Sequence, residues 1–219
     1  MKKIPQLFQG FERFKRAYIK GDSQLFEQLR EGQRPQIMVI SCSDSRVPPE
    51  RLFDCDPGDI FVVRNIANLV PPYEPDSTHH GVSAALEYAV KALCVDHIII
   101  LGHSKCGGIC QLMTCIPEGE EAEFIDNWMD IAAEARDRIR KELPEASMDE
   151  QLRACEQQAI MVSIDNLLTF PWIESRVMRG ELSIHGWYFD IDTGEILIHD
   201  PDLDRFLPVN TSDRLVSQR

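Results

Sequence analysis

The stretch Ile98-Ile-Ile-Leu-Gly-His-Ser-Lys-Cys-Gly-Gly108 joins an apolar, β-branched run to a histidine, a cysteine and two glycines. A short apolar run of this kind predicts a buried strand of a parallel sheet, and it places His103 and Cys106 just beyond the strand end. The same arrangement occurs earlier, where Val39-Ile-Ser-Cys-Ser-Asp-Ser-Arg46 puts Cys42 after a second apolar run. Two predicted strands therefore lead directly into residue types that bind metals.

The rest of the chain has the pattern of an α/β protein. Strands are predicted at 36–41, 59–64, 97–101, 182–189 and 195–199, and helices at 4–30 with a break and N-cap at 21–23, at 77–93, from Gly107, at 124–143 and at 148–168. Helical connections between the first three strands predict right-handed crossovers and an open, parallel central sheet, with helices on both faces and an antiparallel edge strand. We expect a single domain over 1–219, with an N-terminal helical arm at 1–31 and a helical insertion at 118–168.

The two apolar runs predict a metal site. Ligands of open parallel sheets gather beyond the carboxyl ends of the strands, so Cys42 and His103 meet there if the first and third strands are neighbours. Cys106 then turns back toward the same point. Each of the three could be an ordinary packing residue, but together they favour zinc, because two thiolates and one imidazole suit a catalytic zinc site with an open fourth position. Cys110 could close such a site, but we expect it to face the core.

Charged residues accompany the predicted ligands. Asp44 and Arg46 are either an ordinary surface pair or part of the site, and their position beside the first cysteine favours the site. Asp44 would then orient a zinc-bound hydroxide, while Arg46 keeps Asp44 ionised and away from the metal. Arg64 could equally be a plain salt-bridge donor. His79 and His80 are interpreted as helix-start and solvated residues, with a proton relay as a weaker alternative.

Composition narrows the partners and the compartment. A net charge of −13 over 219 residues argues against nucleic acid and anionic membrane surfaces, and it favours a neutral substrate or one that local arginines bind. No apolar run approaches the roughly 20 residues that span a bilayer, and the N-terminus lacks the pattern of a secretory signal. The seven cysteines are odd in number, and several lie in apolar helical patterns. This usage is typical of a reducing compartment, so we expect the cytoplasm.

The two metal-binding motifs, Cys-Ser-Asp-Ser-Arg46 and Gly-His-Ser-Lys-Cys-Gly-Gly108, strongly resemble those of the β-class carbonic anhydrases. Segments between them fit the same family, so the resemblance extends over roughly residues 30 to 200. It implies zinc-dependent, reversible hydration of carbon dioxide to bicarbonate and a proton, by attack of zinc-bound hydroxide. One zinc per subunit would be bound by Cys42, His103 and Cys106, with Asp44 and Arg46 as the catalytic pair.

The resemblance also implies a substrate pocket of the plant-type branch. There Gln33 would hydrogen-bond the substrate, while Phe61 and Tyr88 line an apolar wall that is shared across a dimer interface. Gly107 and Gly108 are likewise assigned to substrate binding. The expected assembly is a homodimer or a dimer of dimers, with the N-terminal helices around the partner subunit. Phe8, Phe11 and Phe14 of these helices suit that role, but they could equally cover their own sheet.

One position departs from part of that family. Members with an inhibitory bicarbonate site have a tryptophan three residues before the first cysteine, where this chain has Val39. We therefore expect an open site with water as the fourth ligand and no switch of that kind. Two alternatives remain open: a carbon disulfide or carbonyl sulfide hydrolase on the same scaffold, and a non-catalytic zinc protein that stores metal or acts as a scaffold.

Overall fold

The computed structural model describes residues 3–20, 25–76, 78–114 and 122–209. The chain divides into two compact units, 1–34 and 35–219, and the single domain that we expect stays a prediction. The first unit contains α1 (Ile4–Phe14), a π-helical segment (Lys15–Ile19) and α2 (Leu25–Arg30). The predicted break and N-cap at 21–23, and the predicted start of the insertion at 118, lie outside the described residues.

The second unit begins with alternating strands and helices, continues with several helices in succession and ends with three strands. Its strands are β1 (Ile37–Cys42), β2 (Ile60–Asn65), β3 (His97–His103), β4 (Ser183–Phe189), β5 (Ile196–Asp200) and β6 (Arg205–Pro208). Its α-helices are α3 (Pro49–Leu52), α4 (Gly81–Glu87), α5 (Gly107–Thr114), α6 (Ile125–Met129), α7 (Ala133–Glu142), α8 (Met148–Leu168) and α9 (Pro171–Met178). Short 3₁₀ segments (Ile66–Asn68, Asp130–Ala132) and a π-helical segment (Tyr88–Leu93) complete the described elements.

The strands form one sheet in the order β2-β1-β3-β4-β5-β6. The first four are parallel, and β5 and β6 are antiparallel to their neighbours, which confirms the predicted fold class. The neighbourhood of β1 and β3 is confirmed as well, in a register that sets Ser41 opposite Leu101. The sequence did not predict β6, because four residues are too few for an alternating pattern. In the turn before β6, the Asp200 carboxylate accepts hydrogen bonds from the amides of Asp202 and Leu203.

The central strands are buried on both faces. Met38 and Ile40 of β1, together with Ile100 of β3, belong to a core that includes residues of α4, α8 and α9. Val39 and Ile99 point to the other face, where Leu52 of α3 and Trp187 of β4 pack against the strands. Fully burying one such side chain contributes about 1.5–3 kcal/mol, so this apolar pattern fixes the strand order and register.

Two helices differ from their predicted bounds. The helix expected from residue 77 begins at Gly81. Ahead of it, the Asp76 carboxylate accepts the Thr78 amide and lies 2.7 Å from His80 Nε2, and such local side-chain hydrogen bonds compete with helical ones. The helix expected at 124–143 is divided into α6, a 3₁₀ turn and α7. The bounds of α8 agree with the prediction, and Ser147 caps it. Among the described residues, no helix is both long and apolar enough to cross a bilayer.

The turn between β4 and β5 is built around Asp190. This residue is 3% exposed, and its carboxylate accepts hydrogen bonds from Arg153 at 2.7 Å and from the amides of Asp192 and Thr193. Burial alone would raise the pKa of Asp190, but these hydrogen bonds outweigh it, so the pKa lies below its ordinary value. The ionised carboxylate therefore stabilises the turn and ties it to α8.

We predict a pH-dependent loss of stability for Asp190→Asn. Because the folded-state pKa is depressed, the ionised side chain adds stability above the unfolded-state value of about 3.9, and this stability disappears as the pH falls through the lower folded-state value. At pH 7 the variant should lose about 1–3 kcal/mol, the range for hydrogen bonds to a charged group. Urea unfolding of both proteins at several pH values measures the difference, which should shrink toward pH 3. Asp202→Asn, at an exposed position after β5, is the matched control. A difference independent of pH would contradict the assignment.

Candidate metal centre

Three sulfur and nitrogen ligands meet at the carboxyl ends of β1 and β3. The ligand atoms of Cys42, His103 and Cys106 all lie within 4.8 Å of one another, and the two sulfurs are 4.0 Å apart. All three residues are buried, with 4%, 1% and 2% exposure. Cys42 and His103 are the last residues of their strands, so the prediction that they follow the strand ends is wrong by one or two residues.

The three residues fit a zinc ion. Two sulfurs about 2.3 Å from one tetrahedral zinc would be about 3.8 Å apart, close to the observed separation. His103 directs Nδ1 at the Ser104 carbonyl oxygen at 2.8 Å, whereas its buried Nε2 has no hydrogen-bond partner among the described residues. A ring nitrogen that is buried without a partner is suited to bind a metal, since the other nitrogen fixes the ring.

The thiol groups are coupled. The hydrogen bond with Cys106 lowers the pKa of Cys42 against the effect of burial, and His103 and the amides of Asp44 and Ala67 lower it further. The same hydrogen bond, together with burial, raises the pKa of Cys106. Since metals bind thiolates, binding of a divalent cation here is coupled to the release of thiol protons.

The turn after β2 directs a backbone amide at the Cys42 sulfur. Ala67 and Asn68 have φ values of 60° and 50°, which non-glycine residues rarely adopt. The Asn65 side chain holds this turn through both the amide and the carbonyl of Leu69, at 2.9 and 2.8 Å. The Trp128 indole donates to the Ile66 carbonyl at 2.8 Å. Backbone strain is thus maintained next to the ligands.

Asp44 and Arg46 form the predicted pair. The Arg46 guanidinium donates to both carboxylate oxygens, at 2.9 and 2.6 Å, and also to the Lys105 carbonyl at 2.9 Å. These hydrogen bonds hold the pKa of Asp44 well below its usual range, so Asp44 is ionised near neutral pH. Arg64 donates to the carbonyls of Cys42 and Asp44 at 3.0 and 2.7 Å, so it stabilises the backbone of this segment.

Comparison with known proteins decides the family. A family model described as "Carbonic anhydrase" matches residues 37–196. A solved structure described as "The structure of the beta-carbonic anhydrase CcaA" has a TM-score of 0.88 and 35% identity, over 95% of this chain and 92% of that one. The chain belongs to the β-class carbonic anhydrases.

Two further relatives support this assignment. This β-carbonic anhydrase chain is 42% identical to beta carbonic anhydrase 5, chloroplastic, of Arabidopsis thaliana, over 83% of its own length, and spans 60% of that protein. The resemblance to the plant-type branch is thereby confirmed. The chain is also similar to one of two tetrameric β-carbonic anhydrases from Sordaria macrospora, with a TM-score of 0.73 and 32% identity, over 89% of this chain and 92% of that one.

Not every predicted site residue comes to the metal ligands. The rings of Phe61 and Tyr88 pack on each other, with centroids 6.0 Å apart, and Phe61 pairs with Met38, four residues before the β1 cysteine. Four residues of strand span about 13 Å, so within one chain this wall is remote from the ligands. Gln33 lies in the first unit and is exposed. The proposed roles of these residues stay predictions.

Around the metal centre of this β-carbonic anhydrase, the prediction for Cys110 is wrong and one residue was missed. Cys110 is exposed rather than turned toward the core, because Ile109 and Met113 occupy the buried side of α5. Glu156 was missed: this buried carboxylate on α8 accepts the Cys106 amide at 2.9 Å. The available signal was an acidic residue beside Cys155 and close to Ala159 and Ile160 within the predicted helix at 148–168.

The two glycines after the last cysteine differ in the space around them. A Cβ atom on Gly108 would lie 2.7 Å from Ile66 Cγ2 and 3.2 Å from both Ala67 Cβ and Met129 Sδ, whereas one on Gly107 would meet nothing within 4 Å. The Ile66 methyl group can move, but the Ala67 Cβ is fixed to the strained turn. Gly108 therefore permits close packing of α5 on that turn.

We predict that Gly108→Ala destabilises the zinc-loaded protein by about 1–3 kcal/mol through overpacking. Gly107→Ala, the matched control, should leave the free energy of unfolding nearly unchanged. Urea unfolding at one fixed protein concentration measures both variants. Equal stabilities of the two variants would contradict this account of the packing.

Proposed function

We propose that this protein catalyses the reversible hydration of carbon dioxide to bicarbonate and a proton, as a zinc-dependent carbonic anhydrase. The observation that carries the proposal is the buried group of Cys42, His103 and Cys106 in a β-class chain, with ionised Asp44 beside it. These three residues would hold one zinc ion per subunit. When bound, zinc supplies the Lewis acidity that makes water a nucleophile near neutral pH.

Asp44 and Arg46 divide the remaining work at the centre. An ionised carboxylate only accepts hydrogen bonds, so Asp44 would accept one from the attacking water and turn its lone pair toward the substrate. Arg46 occupies both oxygens of Asp44, which favours the ionised form and restrains the carboxylate from binding the metal. A non-catalytic zinc protein would not need this restrained acceptor. With Val39 before the first cysteine, we expect this open state to persist without a bicarbonate-controlled switch.

The substrate pocket is proposed from the family. Gln33 would donate a hydrogen bond to the substrate oxygen on which negative charge develops. The backbone amides of Gly107 and Gly108 would face the same substrate. Phe61 and Tyr88 would provide the apolar wall. Because these two rings are remote from the metal ligands of their own chain, we propose that they line the metal centre of a partner subunit.

We also propose a homodimer or a dimer of dimers. The tetrameric Sordaria relatives support it, as do Leu7, Phe8 and Phe11 of α1, which are 60%, 66% and 57% exposed in the single chain. The cysteines described in the structure are all free, which suits a reducing compartment such as the cytoplasm. One relative is chloroplastic by name, so the cytoplasm is a proposal that localisation of a tagged full chain would test.

We predict that zinc binding and turnover separate in two sets of variants. Replacing Cys42, His103 or Cys106 by serine or alanine should remove both bound zinc and carbon dioxide hydration. Asp44→Ala should retain zinc but lose most of the rate, by about 10²-fold or more, as expected for a lost acid–base or orienting group. Metal analysis combined with stopped-flow carbon dioxide hydration measures both properties.

The same assay discriminates the alternatives. Carbon disulfide and carbonyl sulfide, tested beside carbon dioxide, would reveal the rival hydrolase by a higher kcat/KM. A fully zinc-loaded protein that hydrates no carbon dioxide would refute the proposed activity, and an active Asp44→Ala variant would refute only the role of Asp44.

A further inference from the structure

A buried carboxylate lies behind the metal loop, the segment from His103 to Cys106. Glu156, in the middle of α8, is 4% exposed. One of its oxygens accepts the Cys106 amide at 2.9 Å, and the other accepts the hydroxyl of Tyr188 at 2.7 Å. Tyr188 is itself fully buried in β4. Both oxygens of Glu156 are therefore used, one by the metal loop and one by the sheet.

This position is costly for a carboxylate. Among the described residues, no lysine or arginine forms an ion pair with Glu156; Arg153, one turn earlier, pairs with Asp190 and lies 5.4 Å from the centre of the Tyr188 ring. Burying a charged group without a direct counter-ion is unfavourable, and an apolar side chain would fill the same space at lower cost. The hydrogen bonds of Glu156 therefore indicate a task other than packing.

The metal loop needs an acceptor at this point. Lys105 has φ 59°, the left-handed conformation that turns the chain so that the Cys106 sulfur returns to within 4.0 Å of the Cys42 sulfur. Arg46 holds the Lys105 carbonyl from one side at 2.9 Å. Glu156 holds the next amide, that of Cys106, from the other side. An unsatisfied buried amide at Cys106 would favour relaxation of this strained turn.

We propose that Glu156 is a positioning residue, which fixes the Cys106 amide and thereby keeps the Cys106 sulfur in place to bind zinc. Tyr188 anchors the carboxylate from the sheet. The effect acts through the hydrogen bond to the amide, so a side chain that keeps an acceptor oxygen keeps the function. This inference rests on the zinc ligands proposed above.

The test is the rate at which zinc leaves the purified, loaded protein into excess chromogenic chelator. Glu156→Gln retains an oxygen for the Cys106 amide and an amide group for the Tyr188 hydroxyl, so it should release zinc at nearly the wild-type rate. Glu156→Met removes the acceptor and should release zinc about 10–100-fold faster, the range for lost partners of metal ligands. Asp165→Asn, which removes a charge from an exposed position of α8, is the matched control and should match wild type.

Two more measurements keep the result interpretable. Tyr188→Phe removes the hydroxyl that binds one oxygen of Glu156 and keeps the aromatic ring. It should give an intermediate zinc release rate, and this measurement tests the proposal even if Glu156→Met fails to fold. The cobalt(II) form of Glu156→Met should show shifted d–d absorption bands, whereas a merely destabilised fold with an intact centre would not. Circular dichroism verifies that each variant is folded.

Each outcome has a distinct meaning. Wild-type release rates in Glu156→Met or Tyr188→Phe would overturn the positioning role. Equal acceleration in Glu156→Gln and Glu156→Met would also overturn it, because charge and not the acceptor would then matter. Failure of the wild-type protein to bind zinc would instead refute the ligand assignment, and zinc-loaded protein without carbon dioxide hydration would refute the proposed function alone.

Discussion

The parallel pairing of β1 with β3 is the constraint on which the metal centre depends. Ile37 lies opposite His97, and the ladder continues to Ser41 and Leu101, so both strands end at the same edge of the sheet. A slip by one residue would exchange the two faces of β1 and bury the wrong side chains. The apolar pattern of the strands thus fixes the place where their terminal ligands meet, although these ligands are far from each other in sequence.

Around that edge, the chain adopts backbone conformations that are unfavourable in isolation. Ala67, Asn68 and Lys105 all have φ between 50° and 60°, and each such residue costs on the order of 1–3 kcal/mol. Hydrogen bonds from side chains hold these turns, chiefly those of Asn65, Arg46 and Trp128. The strain has a use, since it directs an amide at one ligand sulfur and returns the second sulfur toward the first. The metal centre is therefore a property of its supporting turns as much as of its ligands.

The sequence predicted the sheet, the ligands and the Asp44–Arg46 pair because each depends on local pattern. A buried strand is visible in its apolar run, and a ligand at its end follows from the topology of parallel sheets. Glu156 was not predictable in this way, because its partners Cys106 and Tyr188 come from two other elements. The orientation of Cys110 was predicted wrongly for a related reason. The start of α5 at Gly107 agrees with the prediction, but the buried side of this helix is set by its packing with residues of α7 and α8, where Ile109 and Met113 lie.

The partners of Arg64 show the same limit and also explain how an acidic protein forms this site. From the sequence, Arg64 could have been a salt-bridge donor. In the structure its guanidinium donates hydrogen bonds to backbone carbonyls around the ligands, and Arg46 does the same through one of its hydrogen bonds. These two cations therefore stabilise the loops, while the chain as a whole carries a net charge of −13. Carbon dioxide is neutral and is not repelled by that charge, whereas bicarbonate is an anion. In the proposed reaction, the field of the protein thus leaves substrate approach unaffected and favours departure of the product.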